Sequence, residues 1–164
     1  MSGNRLRISV LALLLGLAGA AAAPPPALSQ SVPMKVTLRV GGRTDTLRGN
    51  GSCAHEQHAS LYGANAALWS ADYAGPGGNP RLSLTYWHFA ADGAVQFSFA
   101  VHGKSAGHRI STVKGGKLEG SGRATYRATA TGGRFEIAGK AQDGVPLQAT
   151  IECARFGGIY AEGG

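Results

Sequence analysis

Most of the chain after residue 30 alternates between hydrophobic and polar positions with a period of two. In the clearest stretch, 95–102, large apolar side chains at the odd positions alternate with smaller or polar ones at the even positions. Similar alternation is found at 35–40, 82–89, 123–130, 134–140 and 147–153. Successive side chains of a strand point to opposite faces of a sheet, so this pattern predicts half-buried β-strands.

Turn signals separate these stretches. Asp92-Gly93 and Asp143-Gly144 are strong hairpin signals because both turn positions tolerate positive φ, and Gly41-Gly42 and Gly132-Gly133 have the same effect. Strands at spacings of roughly 8–14 residues with glycine-rich turns indicate an antiparallel sandwich or barrel. We predict an all-β fold, an antiparallel β-sandwich of about seven or eight strands with one disulfide.

The stretch 58–73 does not follow the alternation clearly. Leu61, Asn65 and Leu68 are near helical spacing, but Gly63 weakens a helix. We therefore expect a loop followed by a strand at 67–73.

The N-terminus has the features of a secretory signal peptide. Arg5 and Arg7 precede an apolar run from Ile8 to Ala23, which three prolines terminate. The run is shorter than the roughly 20 residues that cross a bilayer, and small residues favour cleavage after Ser29. We predict a signal peptide at 1–29, a single domain at 30–164 without a transmembrane segment, and a periplasmic or extracellular location.

Export changes the interpretation of the two cysteines, Cys53 and Cys153. In an oxidising compartment, two cysteines most simply form one disulfide. The alternatives are two buried thiols or a Cys53 that serves as a metal ligand.

Charge favours anionic partners. Without Arg5 and Arg7 the chain keeps 14 basic and 9 acidic residues, a net charge of +5 instead of +7. Arg123, Arg127, Arg134 and Lys140 fall on outward positions of adjacent predicted strands and could bind a polyanion. The alternative is an ordinary solvated strand face. Because stacking aromatics are missing from those positions, nucleic acid is not an expected partner.

A histidine pair raises the question of metal binding. His55 and His58 are three residues apart with Glu56 between them, a spacing that can place two imidazoles on one copper or zinc ion. The sequence supplies no local third ligand, so surface histidines without a metal are the alternative.

Two tryptophans are candidate contact residues. If Tyr86 faces the core, Trp87 faces outward and could line a ligand surface together with Trp69. The alternative is that Trp87 is covered as well.

One catalytic motif is matched literally. Gly103-Lys104-Ser105-Ala106-Gly107 fits G-x-S-x-G, with His102 and His108 on either side. A nucleophile elbow needs a strand, a strained turn and a helix, whereas 109–113 is β-branched and glycines follow. We therefore interpret the motif as a hairpin turn and predict that the protein is not an enzyme.

Two segments, 47–54 and 120–153, resemble the mycobacterial nineteen-kilodalton lipoprotein antigen family. They contain LRGNGSCA, then GSGRATYRATATGGRFEIAGKAQDG and LQATIEC. The resemblance implies an exported β-sandwich with a disulfide between Cys53 and Cys153 and no established catalytic centre. The lipid-attachment cysteine of that family is missing here, so the anchor is not implied.

These observations predict a non-enzymatic cell-envelope module for binding or adhesion. Its partner would be an envelope component, an anionic surface or another protein. The alternatives are a periplasmic copper- or zinc-binding protein using His55 and His58, and an inhibitor or polyanion binder that uses the basic strand face.

Overall fold

The computed structural model describes residues 31–158, so the predicted signal peptide lies outside the described residues. One short 3-10 helix, Pro76–Gly78, accompanies ten strands: β1 Ser31–Val40, β2 Arg43–Leu61, β3 Ala64–Ala74, β4 Arg81–Phe89, β5 Val95–His102, β6 Gly107–Ser111, β7 Ser121–Ala128, β8 Gly133–Lys140, β9 Pro146–Cys153 and β10 Gly157–Gly158. Within this part of the chain, no helix is long and apolar enough to span a bilayer.

All ten strands belong to one sheet, in the order β6-β5-β4-β3-β2-β1-β9-β8-β7, with β10 added to β2 in parallel. The other pairings are antiparallel. The sheet curls until β6 reaches the far edge. Ser111 pairs with Glu119, just before β7, and the N–H of Gln142, just after β8, donates to the Arg109 carbonyl at 2.9 Å. The Gln142 side chain also donates to the Gly107 carbonyl at 3.1 Å. The result is a nearly closed, barrel-like sheet.

The predicted all-β antiparallel fold is confirmed, but the strand count was wrong and two separate sheets are not observed. The alternation reports which side of a strand is buried, and this pattern is shared by sandwiches and closed sheets. The pairing of the strands distinguishes a sandwich from a closed sheet. Because β1 bonds to both β2 and β9, it joins the two halves of the molecule into one sheet.

Within 58–73, the strand expected at 67–73 is confirmed because it lies inside β3, but the loop expected before it was wrong. Strand β2 continues to Leu61, and Tyr62-Gly63 turns the chain directly into β3, with φ values of 49° and 81°. Positive φ at both positions matches the hairpin turn that suits the twist of the strands. A register shift between Glu56 and Ala59 inserts one extra residue into β2 and interrupts the period-two pattern. This bulge explains why the sequence did not read as a strand here.

The inward side chains fill the interior. The largest fully buried ones are Phe97, Phe99, Phe135, Leu82, Leu84, Ile110, Leu147 and Ile151. The predicted disulfide is confirmed: Cys53 and Cys153 are bonded at 2.02 Å between β2 and β9, the strands on either side of β1. It therefore links residues that are 100 positions apart.

Candidate binding surfaces

The outer side of β7, β8, β9, β1 and the part of β2 that pairs with β1 (43–52) carries most of the net positive charge of the described residues. We call it the cationic face. Seven of the fourteen basic residues between 31 and 158 project from it, but only two of the eight acidic ones, Glu136 and Glu152. The seven basic residues are Lys35, Arg39, Arg48, Arg123, Arg127, Arg134 and Lys140. The rest of the described surface is close to neutral.

Strand register arranges these side chains in rows across the sheet. One row contains, from β7 to β2, Arg127, Arg134, Glu152, Lys35 and Arg48. Another contains Arg123, Ala138, Gln148, Arg39 and Thr44. Neighbouring strands lie about 4.8 Å apart, so the charges are close to one another. Two depressions of about 640 Å³ and 400 Å³ run along these rows.

Carboxylates neutralise only part of this face. Glu152 lies 3.3 Å from Arg134 and 3.5 Å from Lys35, and Glu136 lies 3.0 Å from Arg134. In the region described, the other five cations form no ion pair: Arg39, Arg48, Arg123, Arg127 and Lys140. Arg123 and Arg127, the predicted binding residues, are exposed members of this group.

The opposite side of the sheet, over β3, β4 and β5, has a different character. Its outward positions combine hydroxyls, such as Ser83 and Thr85, with small or apolar side chains, and they include Trp87. Tyr86 faces the core, as the sequence hypothesis required, and Trp87 faces outward and is half-buried. Trp69, however, is on the inner side and only 8% exposed. The two tryptophans therefore do not form the shared ligand surface that we expected.

Six rings pack together inside one end of the sheet: His55, Trp69, Tyr86, Tyr126, Phe135 and Phe156. His55 stacks on Trp69 with centroids 4.3 Å apart, and Phe135 lies 5.0 Å from Tyr126. Because His55 and Phe156 follow the two disulfide cysteines closely, we call this the disulfide end. Neither Tyr126 nor Phe156 belongs to a functional motif in the sequence, and only the alternation of β7 gave a signal for Tyr126.

Burial changes the chemistry of these rings. It raises the pKa of Tyr86 and Tyr126, and the nearby Trp69 indole partly offsets the shift of Tyr126. The Trp69 N–H and the His55 Nε2 atom are buried without a partner in hydrogen-bonding geometry. Burial lowers the pKa of His55, and the charge of Glu56 opposes this effect.

The structure separates the environments of the two candidate metal ligands. His55 is inside the aromatic cluster, whereas His58 is exposed, and its backbone N–H donates to a carboxylate oxygen of Glu56 at 2.9 Å. Cys53 is in the disulfide and is not a thiolate ligand. Among residues 31–158, no three His, Cys, Asp or Glu side chains are grouped to hold a metal. Copper or zinc binding stays a prediction without a third ligand.

At the other end of the sheet, which we call the open end, a surface cleft of about 550 Å³ reaches the core residues Leu38 and Val101. The G-x-S-x-G segment forms its rim as a hairpin turn, in which the Gly103 N–H donates to the Ala106 carbonyl at 2.8 Å. Ser105 and His108 line the cleft, and His108 Nδ1 lies 2.8 Å from an Asp143 carboxylate oxygen. Strand β6 follows the serine, so the motif lacks the helix of a nucleophile elbow.

Comparison with protein families, characterised proteins and solved structures finds no match to this chain. The resemblance of 47–54 and 120–153 to the lipoprotein antigen family therefore stays a prediction. The class that can be defined is structural: a small disulfide-bonded, nearly closed antiparallel sheet with a cationic outer face.

Proposed function

We propose that the protein is a non-enzymatic, exported binding module that contacts an anionic polymer or surface of the cell envelope through the cationic face. The observation that carries the proposal is the segregation of charge. Half of the basic residues between 31 and 158 share one sheet face with only a quarter of the acidic ones. A concentration of one sign of charge attracts oppositely charged partners over several ångströms.

The side chains on this face suit phosphate, sulfate or carboxylate groups. Arg39, Arg123 and Arg127 have no ion pair within the described part of the chain, so their guanidinium groups are available to a ligand. The planar guanidinium group binds two oxygens of a carboxylate, phosphate or sulfate through paired hydrogen bonds. The outward positions of these five strands hold no aromatic side chains. The face therefore suits a repeating anion better than stacked nucleobases.

The proposed location rests on the N-terminal segment and on the disulfide. Disulfides persist in oxidising compartments such as the periplasm and the extracellular space. An envelope location would place the cationic face among anionic lipids and glycans.

The test is binding to heparin, polyphosphate and phosphatidylglycerol vesicles as a function of salt. The variant Arg39→Gln/Arg123→Gln/Arg127→Gln removes three unpaired charges from the face without touching the core. We expect its affinity to fall at least tenfold and its salt dependence to weaken, because fewer counterions are released on binding. Neither the unaltered protein nor the variant should bind zwitterionic phosphatidylcholine vesicles.

A matched control removes three charges elsewhere, with Arg81→Gln/Lys114→Gln/Arg155→Gln. This variant should keep most of the affinity. Equal loss in the two variants would show that net charge alone drives binding, and the proposed role of the face would then be wrong. Heparin, polyphosphate and vesicles distinguish a sulfated, a phosphorylated and a lipid source of the anion.

A further inference from the structure

The cleft at the open end is built from three parts of the chain that meet at the mouth of the sheet. These are the β1–β2 turn, the segment Asn79-Pro80 and the β5–β6 turn. Buried Leu38 and Val101 form its floor, with the half-buried Val40 beside them. The cleft is thus a polar-rimmed opening onto apolar side chains. Small-molecule sites often have this form, including those at barrel mouths, and their volumes fall in the range of roughly 300–1,000 Å³.

The rim has one uncompensated charge. Arg43 is paired with Asp45 at 3.1 Å, and His108 is held by Asp143 at 2.8 Å. Lys104, at the tip of the β5–β6 turn, makes no ion pair with the described residues. The Ser105 hydroxyl beside it has no hydrogen-bond partner within the same range. An ammonium group and a free hydroxyl therefore border the apolar floor.

We propose that this cleft binds a small amphipathic carboxylate, such as a medium-chain fatty acid. The carboxylate would accept hydrogen bonds from Lys104 Nζ and Ser105 Oγ, and the acyl chain would cover Leu38, Val40 and Val101. Charge complementarity selects a monoanion, since the other rim charges already have partners. The apolar floor selects an alkyl chain over a sugar or a nucleotide. This site is separate from the cationic face and does not depend on the proposed function.

The experiment is calorimetric titration of the purified protein with octanoate and with 1-octanol. We expect octanoate to bind to one site, and 1-octanol to bind more weakly because it lacks the charge. Lys104→Gln should weaken octanoate binding about five- to tenfold and leave 1-octanol binding unchanged. Ala106→Phe, which adds bulk at the exposed rim, should weaken both.

Lys114→Gln is the matched control. It also removes one lysine charge, but from a different place. Lys114 lies beside Gln96 near the start of β5, whereas Lys104 follows the end of β5. It should bind octanoate like the unaltered protein, and so should the triple arginine variant of the cationic face. Circular dichroism of each variant checks folding.

Three results would overturn the proposal. One is the absence of octanoate binding. Another is binding that Lys104→Gln and Ala106→Phe leave unchanged. The third is serine-dependent turnover: release of p-nitrophenol from p-nitrophenyl octanoate that disappears in Ser105→Ala would show that the cleft hydrolyses acyl esters instead of holding the acid. In that case the non-enzymatic function would be wrong as well, whereas failure of octanoate binding alone leaves it intact.

Discussion

The two ends of the curled sheet are built on different principles. At the disulfide end, six packed rings and the Cys53–Cys153 bridge fill the interior and tie the last long strand to an early one. At the open end, hairpin turns surround a cleft whose rim is polar and whose floor is apolar. From this contrast we expect the two ends to have different roles. The disulfide end should stabilise the fold, and the open end should tolerate substitutions.

The largest expected effect is at the disulfide. Replacing Cys53→Ser and Cys153→Ser together opens a loop spanning 100 positions. We expect the free energy of unfolding to fall by about 4–5 kcal/mol, because the unfolded chain regains the entropy that the bridge removes. Guanidinium denaturation measures this, with the reduced unaltered protein as a control for the serine side chains. A loss below about 1 kcal/mol would contradict a stabilising role for this end.

The next effect is in the aromatic cluster. Trp69→Ala should destabilise the protein by about 3–5 kcal/mol, since it leaves a large cavity among the rings. The same substitution at the outward, half-buried Trp87 should cost about 1–2 kcal/mol. Urea or guanidinium unfolding compares the two variants. Similar losses of unfolding free energy at the two positions would mean that the aromatic cluster stabilises the protein no more than the outer face does.

His55 should make the disulfide end sensitive to acid. Burial lowers its pKa, so the folded state binds fewer protons than the unfolded state at mildly acidic pH. Its contribution to stability is therefore present above the unfolded pKa of about 6.5 and is lost as the pH falls through that value toward the folded pKa.

Thermal unfolding between pH 8 and pH 5 measures this effect in the unaltered protein and in His55→Phe. The difference in stability between the two should shift in favour of His55→Phe as the pH falls. His58→Phe is the matched control, because His58 is exposed. If His55→Phe and His58→Phe respond to pH in the same way, the burial of His55 is not the cause.

The smallest effect is expected at the open end. Lys104→Gln and Ser105→Ala alter exposed turn residues whose side chains make no hydrogen bonds to the rest of the described chain. Each should change the free energy of unfolding by less than about 0.5 kcal/mol. Denaturation under the conditions used for Trp69→Ala provides the comparison. A loss above about 2 kcal/mol would show that the turn stabilises the sheet, and the two ends would then not differ as we describe.

The distribution of charge could be predicted only in part from the sequence. Alternation in β7 and β8 placed Arg123, Arg127, Arg134 and Lys140 on outward positions, and the structure has them there. Lys35, Arg39 and Arg48 are far away in the chain, and only the pairing of β1 with β9 brings them to the same face. Long-range strand pairing is set by the packing of the whole core. A local pattern of hydrophobic and polar residues does not show which distant strands pair.

The cleft at the open end is a similar case. The sequence pointed to Ser105 and His108 through a motif, but Leu38 and Val40 become their neighbours only when the sheet curls. Asp143, which holds His108, comes from a turn 35 positions away. No spacing along the chain signals this contact.

The class of secondary structure, the inward and outward sides of most strands, and the cysteine partners could be predicted without the structure. These follow from a period of two and from having only two cysteines. The tertiary structure alone decided that the strands form one nearly closed sheet, that Trp69 and Trp87 lie on opposite sides, and that the basic side chains gather in rows. The physical reason is that burial of one strand face is a local requirement, whereas strand order and sheet curvature depend on all the inward side chains packing together.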